Sequence, residues 1–376
     1  MKYCFLFIII FLMGCEKKQR IKTEREYSIG YAVKAFSNVN KENDSIINTF
    51  QQCISTGKLR DYQNYWKKSD TLIFRYPYDD LWFSIEDHYP AYTPTLIAIQ
   101  KKEANKYLVK MAVMGAPEGF NSLKIIYNFY AFREDNGTFK FGNVISDNLK
   151  SWKRERIQNI TYVYRNDSVL SEEEVKRQIE FEDKLTSRFD FEKIEYKYIK
   201  CSTVHEFMKL RGYEYEDSMF LNNQTGGETF PEHRLIFSGN DSEYYPHELV
   251  HLYTHKYFKK INSIIDEGVA TYLGGSKKMD YKNHIRILKK YVKDNNIDLY
   301  QYLFDTQKRF TIIGDGSSIK YSAGALLCHL ADKQNVLKEL LNSGESDEEL
   351  IKKVEEIFKI DRKDIDAFFK QELEHF

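Results

Sequence analysis

The clearest chemistry in this chain is carried by five consecutive residues, His247-Glu248-Leu249-Val250-His251. On a helix, positions i and i+4 share a face about one turn apart. Two imidazoles placed so can reach one Zn2+, at about 2.0–2.1 Å each. Glu248 projects about 100° further round the helix, toward a water in the metal's open position, and can take that water's proton as general base. Pro246 stands just ahead, a favoured first helical residue. A catalytic zinc wants a third protein ligand and one open site, and three positions offer themselves for it. His255 continues the same face but lies about 12 Å along the helix from His247, so one metal cannot take both; it is read as a residue of the cleft or one that supports a ligand. A histidine six residues after His251 would suit a metzincin, but position 257 is Tyr257. Glu267 sits in Ile265-Asp266-Glu267-Gly268-Val269-Ala270-Thr271-Tyr272, sixteen positions beyond His251. That interval is enough to finish one helix, turn, and return a second beside it. Ser263-x-x-Asp266 reads as a capping box, which places Glu267 on the first turn of that second helix; Asp266 either hydrogen-bonds a ligand histidine or caps the helix, with the cap favoured. Thr271, one turn further, either orients a ligand or packs.

The pair HELVH and DEGVATY resembles the gluzincin metallopeptidases, the aminopeptidase-N-like and peptidase MA-like group. The resemblance implies zinc as cofactor, His247, His251 and Glu267 as its ligands, Glu248 as general base, and a peptide or protein as substrate. Downstream, Tyr321-Ser322-Ala323-Gly324-Ala325 resembles the YxKGA segment of the same group. There the tyrosine hydrogen-bonds the tetrahedral oxyanion, so Tyr321 is implied as a catalytic residue, although Ala323 stands in the lysine's place. The GxMEN stretch that grips a free amine in true aminopeptidases has no counterpart. Gly226-Gly227-Glu228-Thr229 is a poor echo, and Glu232 does not supply it either. An edge strand at Leu235–Gly239 would then be left to pair with an extended peptide. The resemblance spans about residues 151–335 and is strongest at 246–275.

These residues need elements to hold them, and the expected fold class is α+β. Residues 151–376 are expected to form the zincin-like metallopeptidase domain, with a mostly helical C-terminal part. Ile160–Tyr164, Phe191–Ile199 and Leu235–Phe237 read as strands. The helix opened by Ser171-x-x-Glu174 and the short helix Thr203–Leu210, closed by Gly212, alternate with them, which implies a sheet packed by helices. Beyond position 246 the pattern is helical, with a capping box at Ser346-x-x-Glu349 and a last helix from Asp361 to His375. Residues 27–150 are expected to be a separate α+β domain: a helix over 41–59, where Ile46, Ile47, Phe50, Cys53 and Ile54 recur at helical spacing, then an antiparallel meander. Its strands are Thr95–Gln100, Tyr107–Met114, Leu123–Phe132 and Thr138–Ile145, with a hairpin turn at Asp135-Asn136-Gly137. Helix followed by meander suggests a cone shape like the nuclear-transport-factor-2-like group. His88 stands alone there and is read as structural. The polar stretch 147–158 reads as the domain junction, with Lys153, Arg154, Glu155 and Arg156 a solvated face.

The N-terminus reads as a targeting segment. Lys2 is followed by an apolar run, Tyr3–Met13, too short to span a bilayer as a helix. It ends in Leu12-Met13-Gly14-Cys15, which resembles a bacterial lipobox and implies cleavage after residue 14 and lipidation of Cys15. Residues 1–14 are then a lipoprotein signal peptide and 15–26 a charged tether. The expected location is the cell envelope, reached by secretion across the cytoplasmic membrane, with the lipid as membrane anchor. Cys53, Cys201 and Cys328 are expected as buried free thiols. With 56 basic and 56 acidic residues the formal charge is zero, which argues against nucleic acid as a partner held by a basic surface. The sequence thus points to a secreted, lipid-anchored zinc metallohydrolase, most simply a peptidase. Its rivals are a zincin fold kept as a silent binding scaffold, and a zinc hydrolase acting on another acyl group.

Overall fold

The structure is a computed structural model that describes residues 26–37, 40–56, 59–68, 78–116, 119, 122–220 and 226–376. The expected signal peptide and Cys15, with all of the expected tether but Glu26, lie outside the described residues. What is described is mixed α/β, with two main sheets and a helical C-terminal half.

The first sheet has the order β1-β2-β3-β4-β5: Ser28–Ile29, Thr93–Glu103, Lys106–Gly115, Ser122–Arg133 and Phe139–Gly142. Short helices α1 (Tyr31–Ser37), α3 (Leu59–Tyr62) and α4 (Asp79–Glu86) accompany it. Helix α2 (Lys41–Ser55) opens where the Asn40 side chain accepts from the Glu42 amide. Ile46, Ile47, Phe50, Cys53 and Ile54, the residues that give the sequence its helical period, are its buried stripe. They share a core with Val109, Met111, Tyr127 and Phe129 of the sheet. The expected hairpin turns at Gly137, whose φ of +83° only glycine adopts freely. The strand expected to run to Ile145 stops at Gly142, and helix α5 (Ile145–Asn148) takes its place, burying Ile145.

The second sheet has the order β10-β11-β8-β7-β6: Gly227–Phe230, Leu235–Ser238, Tyr196–Lys200, Ile160–Tyr164 and Lys153–Ile157. Strands β7, β8 and β11 are parallel; the outer two are antiparallel to their neighbours. Parallel neighbours need long crossovers. Helix α6 (Glu172–Phe189) lies between β7 and β8, and α7 (Val204–Arg211) within the β8 to β11 crossover. Three expectations change here. The polar stretch read as a junction contains β6, whose residues 153–156 are nonetheless exposed. Residues 191–195 are not strand: the Ile194 and Glu192 amides donate to the Tyr253 and Tyr257 hydroxyls, which ties this segment beneath the metal-motif helix. The strand expected at the edge, β11, is flanked on both sides, and β10 is the edge.

Strand β9 (Tyr213–Glu216) leaves α7 and returns to the first sheet, pairing with β4 at Ile125–Tyr127. The physical reason is a vacancy. Strand β5 pairs only with Tyr130–Arg133 of β4, so the earlier part of that strand would otherwise present bare backbone. The two units are thus interleaved rather than joined end to end.

The C-terminal half comprises α8 (Pro246–Tyr257), α9 (Ser263–Gly274), α10 (Tyr281–Asn295), α11 (Leu299–Phe304), α12 (Ile319–Lys333), α13 (Leu337–Leu341), α14 (Asp347–Phe358) and α15 (Ile365–Glu374). Helices α9 and α12 cross at a glycine pair. A Cβ on Gly268 would sit well inside van der Waals contact of the Gly324 backbone, so only glycine permits this approach. Cys53, Cys201 and Cys328 are buried free thiols, as expected. Among the described residues no helix is long and apolar enough to cross a membrane.

Candidate metal centre

Helix α8 is pinned from behind. Leu249, Val250, Leu252 and Tyr253 bury in the core, which turns His247, Glu248 and His251 toward the opposite side. There they line a cavity of about 260 Å³ with β10, Glu267 and Tyr321.

Helix α9 brings in the third candidate ligand, and its start differs from expectation. The cap is Asn262, whose side chain accepts from the Ile264 amide at 2.8 Å. Asparagine reaches the second helical amide, so Ser263 is already inside the helix and Asp266 is released from capping. Its carboxylate turns to α8 instead. One oxygen accepts from His251 Nδ1 and Thr254 Oγ1, each at 3.1 Å, and the other from His255 Nε2 at 2.8 Å. His255 therefore supports the ligand His251 through Asp266, while remaining partly open to solvent.

His247 Nε2 and His251 Nε2 are 3.2 Å apart, and Glu267 Oε2 lies 3.3 Å from the first and 3.6 Å from the second. A tetrahedral ion with bonds of about 2.0–2.1 Å needs ligand atoms about 3.3–3.4 Å apart. The other nitrogens fix the chemistry. His247 Nδ1 faces the Gly275 carbonyl at 2.8 Å. A carbonyl only accepts, so Nδ1 carries the hydrogen and Nε2 of the neutral ring presents a lone pair. His251 Nδ1 is committed to Asp266 in the same way. Glu267 Oε2 is buried and no donor is aligned to it. Three lone-pair atoms therefore converge on one point, and these residues fit a zinc ion.

With no metal bound, the carboxylates favour a proton on His251 where the ion would sit, and metal binding would displace that proton. Burial disfavours the charged form of His251, yet Asp266 and Glu267 hold its imidazole well above the ordinary value. Burial likewise opposes ionisation of Glu267, yet His247 and His251 hold its carboxyl well below the usual carboxylate range. The carboxylates favour positive charge at this point. Lys320 Nζ stands 3.7 Å from the other Glu267 oxygen.

Glu248 is held by the edge strand: Thr229 Oγ1 lies 2.8 Å from Glu248 Oε2 and 2.9 Å from its backbone oxygen. Tyr321, on the first turn of α12, has its ring centroid 5.9 Å from that of His247. Burial first, then the Glu267 and Glu248 carboxylates, push its phenol far up, so it stays protonated and able to donate.

The structure thus gathers His247, Glu248, His251, Glu267 and Tyr321 in one cavity. Thr271 does not orient a ligand: it is buried and its hydroxyl has no partner. The orienting group for His247 is the Gly275 carbonyl. Gly275 has φ +73° and follows Gly274, whose missing side chain lets α9 reach the Pro246–His247 backbone. That glycine pair was the signal in the sequence. Thr229 and Lys320 had none.

The edge strand is in turn tied to the first unit. Arg211, at the end of α7, forms ion pairs with Asp80 of α4 and with Glu228, the neighbour of Thr229. No protein-family model matches the chain, and a search of curated proteins finds no similar one.

Proposed function

We propose that the protein is a zinc-dependent metallohydrolase that cleaves peptide bonds. The observation that carries this reading is the convergence of His247 Nε2, His251 Nε2 and Glu267 Oε2, with both Nδ1 atoms committed to acceptors elsewhere. Zinc held there would supply Lewis acidity, making water a nucleophile near neutral pH.

The chain's own residues supply the rest. Glu248, one carboxylate oxygen fixed by Thr229, takes the proton of the attacking water and delivers it to the departing nitrogen. Tyr321, kept neutral, donates to the oxygen on which negative charge develops. Among the described residues β10 is paired on one side only, and its other edge suits an extended polypeptide added as a further strand.

The cavity opens past the centre in both directions. It shares Thr229, Pro231 and His255 with a trough of about 720 Å³ at the Phe230 end of β10. It shares Gly227, His247, Glu248 and Tyr321 with another of about 450 Å³ at the Gly227 end. That shape favours internal bonds of a chain over its ends. The lipobox supports export and lipid anchoring at Cys15, for which mass spectrometry of the mature N-terminus is the direct check.

The activity is tested with Glu248→Gln. It is expected to keep its zinc and lose turnover of unstructured polypeptide by a factor of about 10³ or more. Undiminished hydrolysis by the folded variant would overturn the mechanism. Retained zinc in an unsubstituted protein that hydrolyses nothing would favour a binding scaffold.

A further inference from the structure

Helix α9 is followed by a two-residue hairpin turn. Ser276 and Met279 exchange both backbone hydrogen bonds, at 2.9 and 2.8 Å, with Lys277 and Lys278 between them. Both lysines have positive φ, 51° and 61°. Turns of this kind want Asn-Gly at those positions, because a side chain there is strained. A strained pair that persists at the wall of a cleft calls for a functional reason.

The turn is also clamped. The Gly275 carbonyl is taken by His247 and the Ser276 carbonyl by His284 Nε2 at 3.0 Å. One anchor is therefore a candidate metal ligand, so the lysines are held in fixed relation to the centre. They line the 450 Å³ trough together with His247, Glu248 and Tyr321. Both are exposed, and neither forms an ion pair among the described residues.

The other charges of that trough are already engaged. Arg177 pairs with Glu174 at 2.6 Å and lies over the Tyr244 ring. Asp280 caps α10 by accepting from the Asn283 amide at 2.9 Å. Glu248 is the general base. Two ammonium groups that form no ion pair among the described residues thus stand on one side of the reaction centre.

We infer that Lys277 and Lys278 determine specificity by reading a carboxylate of the substrate, on the side of the cleaved bond that lies in the Gly227 end of the trough. The inference rests on the peptidase reading. The carboxylate comes from an Asp or Glu side chain or from the substrate's C-terminus, and the test separates the two.

The test uses the full chain, zinc-loaded and carrying Glu248→Gln so that peptides bind without turnover. Labelled, N-acetylated peptides are titrated in three forms: with Asp and Glu and an amidated end, with Asn and Gln and an amidated end, and with Asn and Gln and a free acid end. Each is repeated with Lys277→Asn/Lys278→Gly, a pair that removes both charges while suiting the turn, so folding is preserved. We expect a carboxylate form to bind about three- to tenfold tighter than the amide form, and the ratio to fall to about one in the turn variant. Tighter binding of the third form than the second assigns the carboxylate to the chain end; tighter binding of the first than the second assigns it to side chains. Equal binding of all three forms, or a ratio that survives the turn variant, overturns the inference and leaves the peptidase reading standing. Absence of binding by every peptide overturns both.

Discussion

Glu248 and His251 illustrate how much of the centre depends on residues that touch no substrate. Thr229 holds the Glu248 carboxylate, the proposed general base, from the edge strand at 2.8 Å. Removing that hydrogen bond with the isosteric Thr229→Val should lower kcat about 10- to 100-fold while KM changes little, as steady-state kinetics would show. Asp266 holds the outer nitrogen of His251 at 3.1 Å. Asp266→Asn should weaken zinc affinity by a factor of about 10–100, measured by competition with a chelator. Tyr321→Phe removes the neutral donor and should cost about 10²–10³ in kcat with zinc retained. The candidate ligands and the candidate base were legible because their spacing sits within one helix and the start of the next. Asp266 was not. Ser263 and Asn262 both make plausible caps, and the choice between them decides whether Asp266 serves the helix or the metal. Thr229 was silent because its partner lies on another element, with no local pattern to mark it.

At the scale of elements, the centre is set by how closely α9 and α12 approach. Gly268 and Gly324 meet backbone to backbone, which places Glu267 and Tyr321 on the same cavity. Gly324→Ala should force the helices apart, destabilising the protein by about 1–3 kcal/mol in chemical denaturation and lowering turnover. Sequence patterning found most of the helices and the β2–β4 meander, since each is long and periodic. It missed the order of the second sheet. Strand β10 has four residues, all of intermediate exposure, so no alternation betrays it. Strand β11, fully buried, looks from sequence the same at an edge as in the middle.

For the molecule as a whole, the N-terminal unit is coupled to the candidate active site. Asp80 of α4 and Arg211 of α7 form a buried pair, with side-chain exposures of 6% and 9%, and Arg211 continues to Glu228 on the edge strand. Asp80→Ala should cost about 3–5 kcal/mol by removing the more buried of the two carboxylates that meet Arg211. Equal stability of the single variant and the unsubstituted protein in urea titration would show that the coupling is absent. Strands β1–β5 fall within residues 27–150 and the second sheet within 151–376, but β9 crosses that expected division to join the first sheet. The open stretch of β4 that recruits it is a consequence of β5 being short, which no local signal announces.

The central claim is a zinc site built by His247, His251 and Glu267. Its most direct test is metal content and zinc X-ray absorption on the purified full chain. The account predicts about one zinc per chain, with nitrogen and oxygen neighbours at about 2.0–2.2 Å, and loss of tight binding in Glu267→Ala. A folded protein that takes up no zinc from stoichiometric solution, or whose zinc is undisturbed by Glu267→Ala, would contradict it.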